Sequence, residues 1–138
     1  MKRKLFKYKV VYYLAITISL ILFLVSTLSL FSVFKDFSIF KFLIAGFSIV
    51  VNSFAFVNLV EKYDKAILFL NLSLALFTIF TGYYALILIL KNRFHGMMSY
   101  PDLKFFLLFV VILFIVNKYK IKGDQDYNEI DNIGQNEE

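Results

Sequence analysis

The chain has 138 residues, and 60% of them are hydrophobic when its 9 Tyr are counted. With the 5 Gly counted in place of the Tyr, the share is roughly 57%, against about 45–50% in soluble domains. Charged residues make up 18%, where about 25% is usual. That composition excludes a soluble enzyme and a chain disordered over most of its length, and the length allows one domain. The absence of Cys removes disulfide scaffolds, thiolate metal sites, iron–sulfur clusters and Cys nucleophiles together. The formal net charge of +5 comes from Lys and Arg placed beside apolar segments. Such placement reads as a topology signal and not as a nucleic-acid surface. We therefore expect an all-α integral membrane protein.

The first apolar run, Val10–Phe34, is 25 residues without a charge. At about 1.5 Å per residue it is long enough to cross a hydrocarbon core of about 30 Å. The basic start and the small residues Thr27-Leu28-Ser29 resemble parts of a signal peptide. The run is far longer than the roughly 7–15 apolar residues of a signal segment, so it is read as a retained span. The second run is Phe42–Val60 and the third is Ala66–Leu90. The fourth apolar run, Phe105–Val116, has only 12 residues. Pro101 suits the first position of a helix, where its missing N–H has no partner to lose. A span over Pro101–Lys120 follows, with Lys104, Lys118 and Lys120 snorkelling to the interfaces.

The expected fold is thus four antiparallel transmembrane helices over about 10–34, 42–60, 66–90 and 101–120, forming one domain over 1–122. Lys/Arg counts set the orientation. The N-terminus, the loop between spans two and three and the start of the tail hold ten; the other side holds five. Both termini are therefore expected in the cytoplasm, with Tyr8, Tyr12, Tyr13, Tyr63 and Tyr119 as an aromatic belt there. The tail over 123–138 has six acids and no base, a composition expected to stay flexible in water. It reads as solubilising, or else as a docking peptide. The Lys-, Ile-, Asn- and Phe-rich composition suggests an AT-rich bacterial genome, hence the bacterial cytoplasmic (inner) membrane.

Between lipid tails no hydrophobic force joins helices, so small and hydrogen-bonding residues mark packing faces. Helical spacing gives three such stripes. Span one offers Ala15, Ser19, Ser26 and Ser29; span two offers Ala45, Ser48, Asn52 and Ala55. Span three offers Asn71, Ala75, Thr78, Gly82 and Ala85. Span four is bulky all round, as suits an outermost helix. Asn52, Asn58 and Asn71 are read as interhelical glue, with a polar pathway as the alternative.

No Asp, Glu, Lys, Arg or His lies within the first three spans. Ionisable groups at membrane depth mark proton relays and ion paths, so proton-coupled transport is not expected. The small four-span multidrug exporters are similar in size and span number, but they rely on a carboxylate in the first span. Val10–Phe34 has none, and the resemblance fails there. His95, Met97 and Met98 in the Lys91–Tyr100 loop could offer soft ligands to Cu(I), but three ligands in four residues read better as a solvated turn, or as a contact surface for a partner. Tyr83-Tyr84 read as aromatic packing, with a quinone or lipid contact as the sharper alternative. No catalytic, cofactor or metal residue is assigned.

The expected function is a small non-enzymatic membrane subunit that binds and supports a larger membrane complex. Its partners would be the bilayer and other integral membrane proteins or copies of itself, with no nucleic acid. The alternatives are an oligomeric channel or transporter with a path along Asn52, Thr78 and Asn71, or a membrane immunity or stress protein.

Overall fold

The computed structural model describes residues 4–92, 96 and 99–121. The described chain is four helices: α1 (Lys9–Lys35), α2 (Ile39–Glu61), α3 (Ala66–Lys91) and α4 (Pro101–Tyr119). The acidic tail, Lys2, Arg3, Arg93, His95, Met97, Met98 and Lys122 lie outside the described residues. Three helices, α1, α2 and α3, are long and apolar enough to cross a membrane, which makes this a multi-pass membrane protein by length and composition. The fourth differs. Its 19 residues include Asp102, Lys104 and Lys118, leaving a shorter uncharged stretch.

Helix ends and charge-free runs do not coincide, because a charge-free run measures the hydrocarbon-compatible part of a helix. Thus α1 includes Lys9 and Lys35 at its ends. Helix α2 starts at Ile39, ahead of the uncharged run, and takes Lys41 into its first turn. Ser38, with extended backbone, precedes it, and the Phe42 N–H reaches the Ser38 carbonyl at 2.9 Å. At the other end of α2, Lys62 turns the chain in the left-handed region at φ 57°. The Tyr63 N–H then closes on the Asn58 carbonyl at 2.9 Å, satisfying one of the orphan acceptors of a helix C-terminus. Tyr12 of α1 supplies another, its hydroxyl donating to the Leu59 carbonyl at 3.0 Å.

Each helix packs on the next in sequence, and α1 touches both α3 and α4. Short turns make successive helices antiparallel. Helix α4 stops at Tyr119 because Lys120 leaves the helix with extended backbone. Phe6 and Lys120 form an antiparallel bridge. The Lys7 N–H donates to the Tyr119 carbonyl at 2.9 Å, and the Ile121 N–H to the Leu5 carbonyl at 3.0 Å. The segments 5–7 and 119–121 therefore meet at one end of the bundle, which we call the terminal end. Leu5 and Phe6 are buried there.

The contiguous core comprises Leu5, Phe6, Val11, Ala15, Leu22, Leu59, Ala66, Leu70, Leu74, Phe109, Ile112 and Val116. These lie between the terminal end and the helix midpoints, except Phe109, which is one residue beyond the midpoint of α4. In the opposite half, the loop end, buried positions such as Val33, Ala45, Ala85 and Ile89 stand apart from that core. Helix α4 buries only Phe109, near its midpoint, and Ile112 and Val116 beyond it.

Candidate functional site

Besides Tyr12, the described polar side chains that bond between helices fall into two groups. The first joins three helices in the interior. Asn52 of α2 is wholly buried, and so is Ser73 of α3; Ser26 of α1 is 2% exposed. The Ser26 hydroxyl donates its one proton to the Leu22 carbonyl at 2.8 Å. Its oxygen is then left to accept, and Asn52 Nδ2 donates to it at 2.6 Å. The same amide nitrogen reaches the Leu22 carbonyl at 3.4 Å. That fixes the amide orientation and turns Asn52 Oδ1 toward α3, where it accepts from the Ser73 hydroxyl. An Asn in hydrocarbon has no water to satisfy its amide, so cross-helix bonds are its outlet. No buried side-chain nitrogen or oxygen among the described residues lacks a partner.

The second group joins α3 to α4 toward the terminal end. Asn71 and Asn117 exchange reciprocal amide bonds, each 3.0 Å. Asn117 Nδ2 also donates to the Leu113 carbonyl at 2.9 Å, and Lys120 Nζ donates to Asn117 Oδ1 at 3.2 Å. This pair lies at the bundle surface, about one and a half turns inside the start of α3.

The stripe residues divide accordingly. Ala15, Ser19 and Ser26 are buried on α1, whereas Ser29 is exposed and bonds back to the Ser26 carbonyl at 2.6 Å. Ser19 likewise donates along its own helix, to Ile16 at 2.9 Å. On α2, Ala45, Ser48, Asn52 and Ala55 are all buried. The α3 stripe behaves differently. Asn71, Ala75, Thr78 and Gly82 are half-buried, and only Ala85 is buried. The two contacts fixed for this face both run to α4: Asn71 to Asn117, and Gly82 against Phe106, whose ring would stand 3.0 Å from an added Cβ. Thr78 donates to Leu74 of its own helix at 2.7 Å. Asn58 also bonds within its helix, to Phe54 at 2.6 Å. Asn52 thus bonds toward α1 and α3, Asn71 toward α4 and Thr78 within its own helix, and none of these bonds joins one of the three to another.

Two participants, Ser73 and Asn117, were not singled out by spacing. Ser73 lies two residues from Asn71, about 200° around the helix, and so falls outside the Asn71–Ala85 stripe. Its signal is a second small pair, Ala66 and Ser73, seven apart. Asn117 sits between Val116 and Lys118 at the end of a bulky run, where it reads as an interfacial polar residue.

A set of cations and rings completes the terminal end. Lys62 Nζ lies 5.1 Å from the Tyr12 ring centroid, and Lys7 Nζ lies 6.0 Å from that of Tyr8. Lys118 Nζ is 5.6 Å from the centroids of both Phe114 and Tyr119. Tyr8 and Tyr119 meet edge to face at 5.3 Å. Tyr63 is exposed on the α2–α3 turn. Among the described residues no cluster of metal-ligating side chains occurs. No family model matches the chain, and neither a curated protein nor a solved structure does.

Proposed function

We propose that the chain is a small non-enzymatic membrane subunit whose work is packing: it crosses the bilayer four times and supports a larger membrane complex. The observation that carries this reading is the Ser26–Asn52–Ser73 triad. The one buried amide among the described residues joins three helices of its own chain, and no buried side-chain nitrogen or oxygen among those residues is left without a partner. The outward faces are apolar and rich in Phe, with Phe31, Phe34, Phe40 and Phe54 exposed. Such faces suit lipid and neighbouring spans. The ten-to-five Lys/Arg imbalance supports placing the terminal end in the cytoplasm of a bacterial inner membrane. The pairing of the chain ends supports an even number of spans.

Affinity purification in mild detergent followed by native mass spectrometry tests the subunit reading. A defined stoichiometric complex is the expected result, and a lone monomer with full cellular phenotype defeats it. Substituting Asn52 and Asn71 by Leu separates packing from transport. Lost assembly without a flux phenotype is expected, whereas abolished flux with assembly intact would favour a channel. Since the chain has no Cys, Ser99→Cys gives a clean topology probe. It should label from outside the cell only.

A further inference from the structure

We propose that the terminal end carries a binding site for the phosphate headgroup of an anionic lipid, built on Lys7, Tyr8, Lys118 and Tyr119. The inference rests on the membrane reading but not on the subunit role. Its foundation is the backbone pairing of the two chain ends, in which the Lys7 N–H holds the Tyr119 carbonyl at 2.9 Å. This pairing brings together residues from opposite ends of the sequence and sets their side chains in a row. The Tyr8 and Tyr119 rings meet at 5.3 Å, with Lys7 Nζ 6.0 Å from the first and Lys118 Nζ 5.6 Å from the second. Lys120, whose Nζ donates to Asn117 Oδ1 at 3.2 Å, adds a further ammonium to the same end of the bundle.

Lys7, Tyr8 and Lys118 are exposed, so the row faces outward. Neither segment supplies a counter-charge, because 4–13 and 113–121 contain no Asp or Glu. Of the described acids of this end, Glu61 closes α2 and Asp64 lies in the α2–α3 turn. Lys7 and Lys118 stand on two segments joined by backbone bonds, and ammoniums with no Asp or Glu within 4–13 or 113–121 favour a phosphate beside them. The location selects a lipid phosphate. The row lies where α1 and α4 end, at the depth of headgroups in a spanning bundle, and Tyr hydroxyls and Lys ammoniums are the donors suited to that layer. An anionic leaflet attracts each such Lys, and the effect weakens within a Debye length.

The test uses the purified full chain in zwitterionic detergent, offered equal amounts of phosphatidylglycerol and phosphatidylcholine with the same acyl chains. Native mass spectrometry should show phosphatidylglycerol retained about tenfold over phosphatidylcholine. The K7Q/K118Q double variant should bring that ratio close to one while its helical circular dichroism and thermal unfolding stay unchanged. K35Q/K41Q, at the loop end, should keep the preference. Equal retention of the two lipids by the native chain would overturn the proposal. So would an unaltered ratio in K7Q/K118Q, or an equal loss in K35Q/K41Q, which would mean attraction to overall charge. Millimolar inorganic phosphate should leave the bound lipid in place; displacement would mean a soluble phosphate ligand instead and would also overturn it. None of these outcomes bears on co-purification with a partner.

Discussion

The terminal end and the loop end of the bundle are built from the same residue types and are held in different ways. At the terminal end the N-terminal segment pairs with the end of α4, and Leu5 and Phe6 are buried against a core shared by all four helices. At the loop end the large side chains face outward. Phe31, Phe34, Phe37, Phe40 and Leu90 are all more than half exposed, and α4 buries nothing before Phe109. The triad of Ser26, Asn52 and Ser73 adjoins the inner edge of the core, with Leu22 and Leu74 beside it. The difference teaches where specificity is written. Apolar side chains are as comfortable in lipid as against one another, so a half tied mainly by the exposed Asn92–Tyr100 bond has little to fix its helices.

The largest effect should come from attacking the triad. Asn52→Asp puts a carboxylate where an amide nitrogen now donates to Ser26 and Leu22. A charge at membrane depth costs about 3 kcal/mol on insertion scales, and its oxygens would face two acceptors. Unfolding in detergent titrated with sodium dodecyl sulfate should show a loss of about that size. A loss below about 1 kcal/mol would mean the triad is incidental to the fold.

The next test sets the two ends against each other with one residue type. Phe6 is 5% exposed at the terminal end and Phe31 is 65% exposed at the loop end. Phe6→Ala should cost about 2–3 kcal/mol, and Phe31→Ala under about 0.5 kcal/mol. Hydrogen exchange at the Lys7 and Ile121 amides should quicken only in the first. Similar costs for both would erase the distinction between the ends.

A smaller contrast lies within the loop end. A Cβ at Gly46 of α2 meets nothing within 4 Å, whereas one at Gly82 of α3 stands 3.0 Å from the Phe106 ring. Ala is a better helix former than Gly, by up to about 1 kcal/mol in soluble helices. Gly46→Ala should therefore be neutral or stabilising. Gly82→Ala must also swing the Phe106 ring aside, and should be the less stable of the two by about 1 kcal/mol. Equal stabilities would show that α4 lies loosely on α3 here.

Much of the helical plan is readable from the charge-free runs, because every segment of 19 or more uncharged residues falls within a single helix. What escapes has a common cause. Ser73 and Asn117 act through partners far away in sequence, and spacing along one helix reports a face without saying which neighbour it meets. A helix with neighbours on two sides carries two polar faces, as α3 does with Ser73 toward α2 and Asn71 toward α4. The pairing of chain ends is hidden for a related reason. Leu5-Phe6 sits among Lys residues and resembles a solvated flank, and its burial requires Lys120 and Ile121 to leave α4 and lie beside it.

The smallest expected effect concerns the Asn71–Asn117 pair, and it asks whether surface amides bind helices as buried ones do. Each Asn has the other as a double partner, so single substitutions to Ala leave one amide with unmet bonds. Asn117 retains the Leu113 carbonyl and Lys120, and the pair lies at the bundle surface where other donors are within reach. A double-mutant cycle over Asn71→Ala and Asn117→Ala isolates the pairwise part. Polar contacts between membrane helices average about 0.6 kcal/mol by that method, and this exposed pair should fall at or below that value. A coupling above about 1.5 kcal/mol would make the amide pair, and not the apolar contacts of Phe109, Ile112 and Val116, the main tie of α4 to α3.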